Sequence, residues 1–132
     1  MSLVIDASVV VAALIDGSRD GAWAESMLLS DDLFAPALMP VETANILRRA
    51  CLSGEVSDAA AAQAHADLLD LRVDLLPYGP FGPRVWELRS TLTAYDAWYV
   101  AVAETLESPL ATLDRRMSNA PGPRCAFRVP PE

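Results

Sequence analysis

Short apolar runs of strand length alternate with helix-length segments along this chain, and that alternation restricts its fold more than any other feature. Leu3-Val4-Ile5 is the first such run. It is continuous rather than alternating, as expected of a strand buried on both faces. Leu33-Phe34-Ala35, ended by Pro36, is the second. Val73–Leu76, Leu110–Leu113 and a weaker Ala126–Val129 follow. Between them the pattern predicts helices over Ser8–Leu14, Ala22–Leu29, Pro40–Leu52, Ser57–Leu71, Arg84–Leu92 and Thr93–Leu106. Pro40 suits a first helical position, Ser57 is a side-chain cap, and Ser53-Gly54 is a stop. Pro77 to Pro83 reads as a turn-rich connector. It is too short to divide the chain, so residues 1–132 are expected to form a single domain. Pro130-Pro131-Glu132 is expected to be a loose tail. Strands alternating with helices imply an α/β fold with a short parallel sheet of about five strands.

With 52 % hydrophobic residues in 132, the core needs no disulfide or structural metal. Cys51 and Cys125 lack metal-ligand or C-x-x-C spacing and are expected to stay reduced. The apolar run Val9–Ile15 is far below the roughly 18 residues that cross a bilayer. Asp6 interrupts any leader-like segment, and the first basic residue is Arg19. A cytoplasmic protein is therefore expected.

All ten basic residues are arginines. Without lysine there is no P-loop and no Schiff-base or pyridoxal chemistry. Receiver-type phosphoacceptor chemistry, which uses a lysine beside its acids, also fits poorly. The net charge of −8 argues against generic electrostatic binding of nucleic acid.

Open parallel sheets bind ligands at the carboxyl ends of their strands. Asp6 directly follows the first strand and Asp114 the fourth. Glu42 and Asp96 lie in the first turns of two helices, and helix N-termini share that edge of the sheet. Four carboxylates can therefore converge. Each also has a plain structural reading, as a helix cap or a partner of a helix dipole. Thr93-Ala94-Tyr95-Asp96 has the form of a capping box. Taken together, four acids on one edge repel unless a cation neutralises them. An all-oxygen donor set suits Mg²⁺ or Mn²⁺ rather than zinc, and such sites serve phosphoryl chemistry.

Val-Ile-Asp-Ala-Ser-Val (4–9), Val-Glu-Thr-Ala-Asn-Ile-Leu-Arg-Arg (41–49), Tyr-Asp-Ala-Trp-Tyr-Val-Ala-Val-Ala-Glu (95–104) and Leu-Ala-Thr-Leu-Asp-Arg-Arg (110–116) resemble, in order, the four motifs of PIN-domain ribonucleases. More narrowly they resemble the VapC-type toxins of bacterial toxin–antitoxin pairs. The resemblance implies a PIN-like three-layer fold. It implies a site in which Asp6, Asp96, Asp114 and Glu42 hold Mg²⁺ (or Mn²⁺), with Asp6 the central ligand. Glu42 would orient or deprotonate the attacking water. The reaction would be hydrolysis of an RNA phosphodiester leaving a 5′-phosphate.

Ser8, Thr112 and Asn45 are candidates to hold the acids in place. Each also has a structural reading, as a cap, a buried strand residue and an exposed amide. Arg49, Arg115 and Arg116 are candidates to contact RNA phosphates, against the reading of solvated surface arginines. His65 reads as a surface residue, Trp98 and Tyr99 as core, and Asp16 and Asp20 as loop or cap acids.

The family resemblance also implies a cognate VapB-like antitoxin, a homodimer and a toxin–antitoxin hetero-oligomer. Trp23, Met27 and Leu47 are candidate groove residues, with core packing the other reading. Two other functions stay open on sequence alone. One is a PIN nuclease of RNA processing with no antitoxin; the other is a non-catalytic α/β binding module whose acids are all caps. If four of the negative charges are metal ligands, the remaining charge of about −4 favours shape-selected RNA binding and a basic partner.

Overall fold

The computed structural model describes residues 1–132. Its five strands are β1 (Ser2–Ile5), β2 (Asp32–Pro36), β3 (Asp74–Leu76), β4 (Leu110–Ala111) and β5 (Phe127–Arg128). They form one sheet in the order β3-β2-β1-β4-β5, with every pairing parallel. The central strand is fixed on both sides: Val4 lies opposite Phe34 of β2 and Leu110 of β4.

Seven helices connect the strands: α1 (Ala7–Ile15), α2 (Arg19–Met27), α3 (Met39–Leu52), α4 (Asp58–Asp70), α5 (Gly82–Glu87), α6 (Ala94–Leu106) and α7 (Arg115–Ser118). Leu3, Val4 and Ile5 are fully buried, which requires cover on both faces of β1. Helix α6 packs across β1, β2 and β4, while α1 gathers α2, α3 and α4 into a second helical group. The sheet and these two helical groups enclose one apolar core.

The capping residues work as their chemistry suggests. Ser18, Ser57 and Thr93 each accept a backbone N–H in the first turn of α2, α4 and α6. Pro40 falls in the first turn of α3, one residue after Met39 begins it.

Three local expectations are corrected. The helix expected over Arg84–Leu92 starts earlier and is shorter. Part of the Pro77–Pro83 connector is already wound, as a 3₁₀ turn at Gly79–Phe81 running into α5 at Gly82. Beyond Glu87, Arg89 donates to the Trp86 carbonyl, and the Thr91 hydroxyl reaches across to the Pro121 carbonyl at 2.9 Å. The segment continues as turns. Strand β4 stops at Ala111, because the Leu113 N–H goes to Ser8 Oγ and the Asp114 N–H to Thr112 Oγ1. The tail is not loose at Pro130, which is buried and accepts a 2.6 Å bond from Arg115 Nη2.

Gly21 sets how closely α2 follows α1. A β-carbon there would sit 1.7 Å from the Asp16 carbonyl oxygen, inside the backbone. Helix α2 would have to move away from α1. Gly21→Ala should therefore cost about 2 kcal/mol of stability, of the order of a forced overpacking, despite alanine's better helix propensity. Urea denaturation of the two proteins measures it.

Candidate active site

Asp6 leaves β1 at the carboxyl edge of the sheet and caps α1. The residue is 5 % exposed, and each carboxylate oxygen is held. Oδ1 accepts from Ser8 Oγ at 2.6 Å and from the Val9 N–H at 3.1 Å. Oδ2 accepts from Thr112 Oγ1 at 2.5 Å. Ser8 Oγ in turn accepts the Leu113 N–H, and Thr112 Oγ1 the Asp114 N–H. The residues around one buried carboxylate thus join β1, α1 and the end of β4. Burial pushes the Asp6 carboxyl up to about 6, although all three hydrogen bonds pull the other way.

Glu42 projects from the first turn of α3. Its Oε1 accepts a 2.8 Å bond from the hydroxyl of Tyr99, a residue of α6 only 2 % exposed. Burial raises the Glu42 carboxyl; the Tyr99 bond opposes that and the charge of Asp96 adds to it. Asp96 lies in the first turn of α6, half-buried, raised by burial and then by the charge of Asp114. Asp6 also feels Asp96. Asp96 is therefore the acid whose charge interacts with those of the other three.

Asp114 differs from the rest. Its Oδ1 caps α7, accepting the N–H groups of Arg116 and Met117 at 3.0 and 3.3 Å. Its Oδ2 pairs with Arg116 Nη2 at 3.0 Å. Partial burial raises this carboxyl, but the guanidinium and the two amides outweigh it and hold it below the ordinary range. The four acids thus share one edge without meeting: no three Asp, Glu, His or Cys side chains converge on a single ligating point. Capping and clustering prove compatible, since Asp6 and Asp114 do both.

A family model described as "PIN domain" matches residues 3–123. The chain belongs to the PIN-domain family. Ribonuclease VapC1 of Mycobacterium tuberculosis is 37 % identical to it over 135 residues, spanning 96 % of each chain. The crystal structure of M. tuberculosis VapC20, described as a sarcin-ricin loop cleaving toxin, superposes with a TM-score of 0.67 at 20 % identity. It covers 88 % of this chain and 92 % of that one. M. tuberculosis VapBC-5, described as a member of the VapBC family of toxin–antitoxin systems, superposes with a TM-score of 0.56 at 21 % identity, covering 97 % and 96 %.

In this PIN domain the other candidate residues divide by geometry. Ser8 and Thr112 grip Asp6 directly. Asn45 and Arg49 are exposed and line an open cleft of about 490 Å³ with Leu38, Val41, Glu42, Ile46 and Tyr95. Arg115 donates from Nη2 to the Pro130 carbonyl, and its other N–H groups carry no bond. Arg116 faces the acids. Among the groove candidates, Leu47 is 3 % exposed, and Trp23 and Met27 pack against the core. The open apolar surface beside the acids is instead Leu38, Val41 and Tyr95.

Sequence reasoning placed Tyr99 in the core and missed its hydroxyl. Its spacing held the signal: Tyr99 is three residues after Asp96, hence on the same side of α6. The donor set itself is four carboxylates ringed by hydroxyls, an all-oxygen chemistry that suits a hard divalent cation.

Asp6 binds its proton near pH 6 in the folded chain but near 3.8 when unfolded. The folded state holds more protons between those values, so the Asp6 contribution to stability falls as pH rises through that window. Asp6→Asn should remove this loss. In chelator, the variant should gain about 3 kcal/mol relative to the parent between pH 3.5 and pH 7. Parallel denaturant titrations across that range provide the comparison.

Proposed function

We propose that this PIN domain is a divalent-metal-dependent endoribonuclease and the toxin of a toxin–antitoxin pair. What carries the reading is the gathering of Asp6, Glu42, Asp96 and Asp114 at one sheet edge, with the first three pushed toward the protonated form. Such a cluster gains most from a cation, and Mg²⁺ is the natural one, with Mn²⁺ a substitute. Its 37 % identity to a ribonuclease over nearly all of both chains supports RNA as the substrate.

Bound there, the metal would neutralise the acids and stabilise charge on the phosphoryl oxygens. Asp6, Asp96 and Asp114 would hold it, while Ser8 and Thr112 keep Asp6 from turning. Glu42 would act as the base. Tyr99 occupies its Oε1, leaving Oε2 to take the proton from an attacking water. Attack in line breaks the P–O3′ bond: the water oxygen stays on the 5′-phosphate, and the departing 3′ oxygen takes a proton from solvent to become a 3′-hydroxyl. Arg49, at the far end of the cleft beside Glu42, would contact a neighbouring phosphate.

The likeness to VapBC-5 and the surplus of negative charge support a VapB-like antitoxin that brings basic residues to the acids. The family likeness also supports a homodimer. The hetero-oligomer with antitoxin would be built on that dimer. No helix is long and apolar enough to cross a membrane. An RNA substrate and an antitoxin made in the same cell would put the activity in the cytoplasm.

Brief induction followed by mapping of 5′-phosphate ends in cellular RNA tests the reading. The parent should produce discrete new ends, and Asp6→Asn or Asp96→Asn should produce none while remaining folded. Full activity in either variant would refute the site. Tyr99→Phe should cost about 1.5–3 kcal/mol of stability, as for a hydrogen bond to a charged group. Because the Tyr99 bond lowers the proton affinity of Glu42, its loss should move the acidic limb of the pH–rate profile upward.

A further inference from the structure

One cation already stands among the acids. The Arg116 guanidinium is bonded to Asp114 Oδ2, and its charge also acts on Asp96, pulling that carboxyl back from the raised position that burial gives it. Its position is not forced by packing, since the Arg116 side chain is 82 % exposed. The other arginines beside the acids are committed elsewhere or lie farther off. Arg115 is tied to the Pro130 carbonyl, and Arg49 sits in the cleft beyond Glu42.

The hydrogen bonds of Asp114 give this pairing a consequence. Oδ1 is occupied by two backbone amides that start α7. Withdrawing it would uncap that helix. Oδ2 is the oxygen that can reach an ion, and Arg116 is its partner. A divalent cation taking Asp114 as a ligand therefore competes with the guanidinium for Oδ2. Displacing it is cheap, because an exposed ion pair contributes about 1 kcal/mol or less.

We propose that Arg116 is an intramolecular stand-in for the metal. It pairs with Asp114 in the metal-free protein, yields Asp114 when the ion binds, and then pairs with a phosphate of the RNA beside the scissile bond. Metal binding thereby creates an RNA contact that the metal-free protein lacks. A planar guanidinium serves both partners, since carboxylate and phosphate oxygens accept its paired N–H donors alike. This inference rests on the metal-dependent reading of the site.

Calorimetric titration with Mn²⁺ alone separates the two. Arg116→Ala removes the competitor and should bind Mn²⁺ about fivefold more tightly than the parent, the equivalent of one exposed ion pair. Arg115→Ala removes an equal charge one residue away that is bonded to a carbonyl instead. It measures the effect of the general field and should change affinity less than twofold. If Arg116→Ala binds Mn²⁺ no more tightly than Arg115→Ala, the stand-in role is wrong while the metal site survives. If neither the parent nor any variant binds Mn²⁺, the metal-dependent reading itself falls.

The second arm measures RNA binding by the Mn²⁺-loaded Glu42→Gln protein, in which cleavage is suppressed. Adding Arg116→Ala should weaken a single-stranded oligonucleotide several-fold and lower the slope of log K against log salt by about 1. In chelator, the same substitution should leave RNA affinity unchanged or improve it. An equal loss with and without Mn²⁺ would overturn the exchange.

Discussion

A carboxylate buried at the end of the central strand is the constraint on which the rest of this structure depends. Asp6 is 5 % exposed in a chain already carrying a charge of −8. A buried charge is tolerated only when its lone pairs are met. Here they are met by the Ser8 and Thr112 hydroxyls and the Val9 amide. Those hydroxyls accept the N–H groups of Leu113 and Asp114, which no longer join the sheet. Solvating one acid thus ends β4, starts α1 and brings Asp114 to the same edge. The polar network fixes the geometry of the site and the ends of the elements that carry it.

The remaining acids are held by partners of different kinds, and this sets their electrostatics. Glu42 rests on a buried tyrosine from α6, a neutral donor that orients it without cancelling its charge. Asp96 stands where the fields of the other three overlap. Asp114 alone has a cation and alone is lowered. Three carboxyls are raised chiefly by burial and only then by neighbouring negative charge, while the fourth is lowered by its cation. Arg116 supplies that positive charge from the surface at little cost, and a divalent ion would supply more.

How far the sequence disclosed this depended on the range of the interaction concerned. The strand runs, the Ser57 and Thr93 caps and the first turn at Pro40 were legible, because each depends on residues a few positions apart. Asp6, Glu42, Asp96 and Asp114 were legible as a set because a parallel sheet places strand ends and helix starts on one edge. The turns after α5 were not, since the Thr91 hydroxyl there reaches across to the Pro121 carbonyl. The Pro130 anchor was not, because its donor lies fifteen residues away.

By itself the sequence determined the α/β architecture, the absence of lysine chemistry and the four acids at the edge of the sheet. Periodicity and capping are local, and the topology of a parallel sheet follows from them. Tertiary structure alone decided which acid lies among the others, which tyrosine holds Glu42, and which of two adjacent arginines faces the site. Tyr99 and Glu42 are 57 residues apart, and Arg115 and Arg116 differ only in the direction they leave a four-residue helix. Neither distance through space nor direction from a short helix is written in the order of residues. Both are fixed only when the sheet closes around the Asp6 carboxylate.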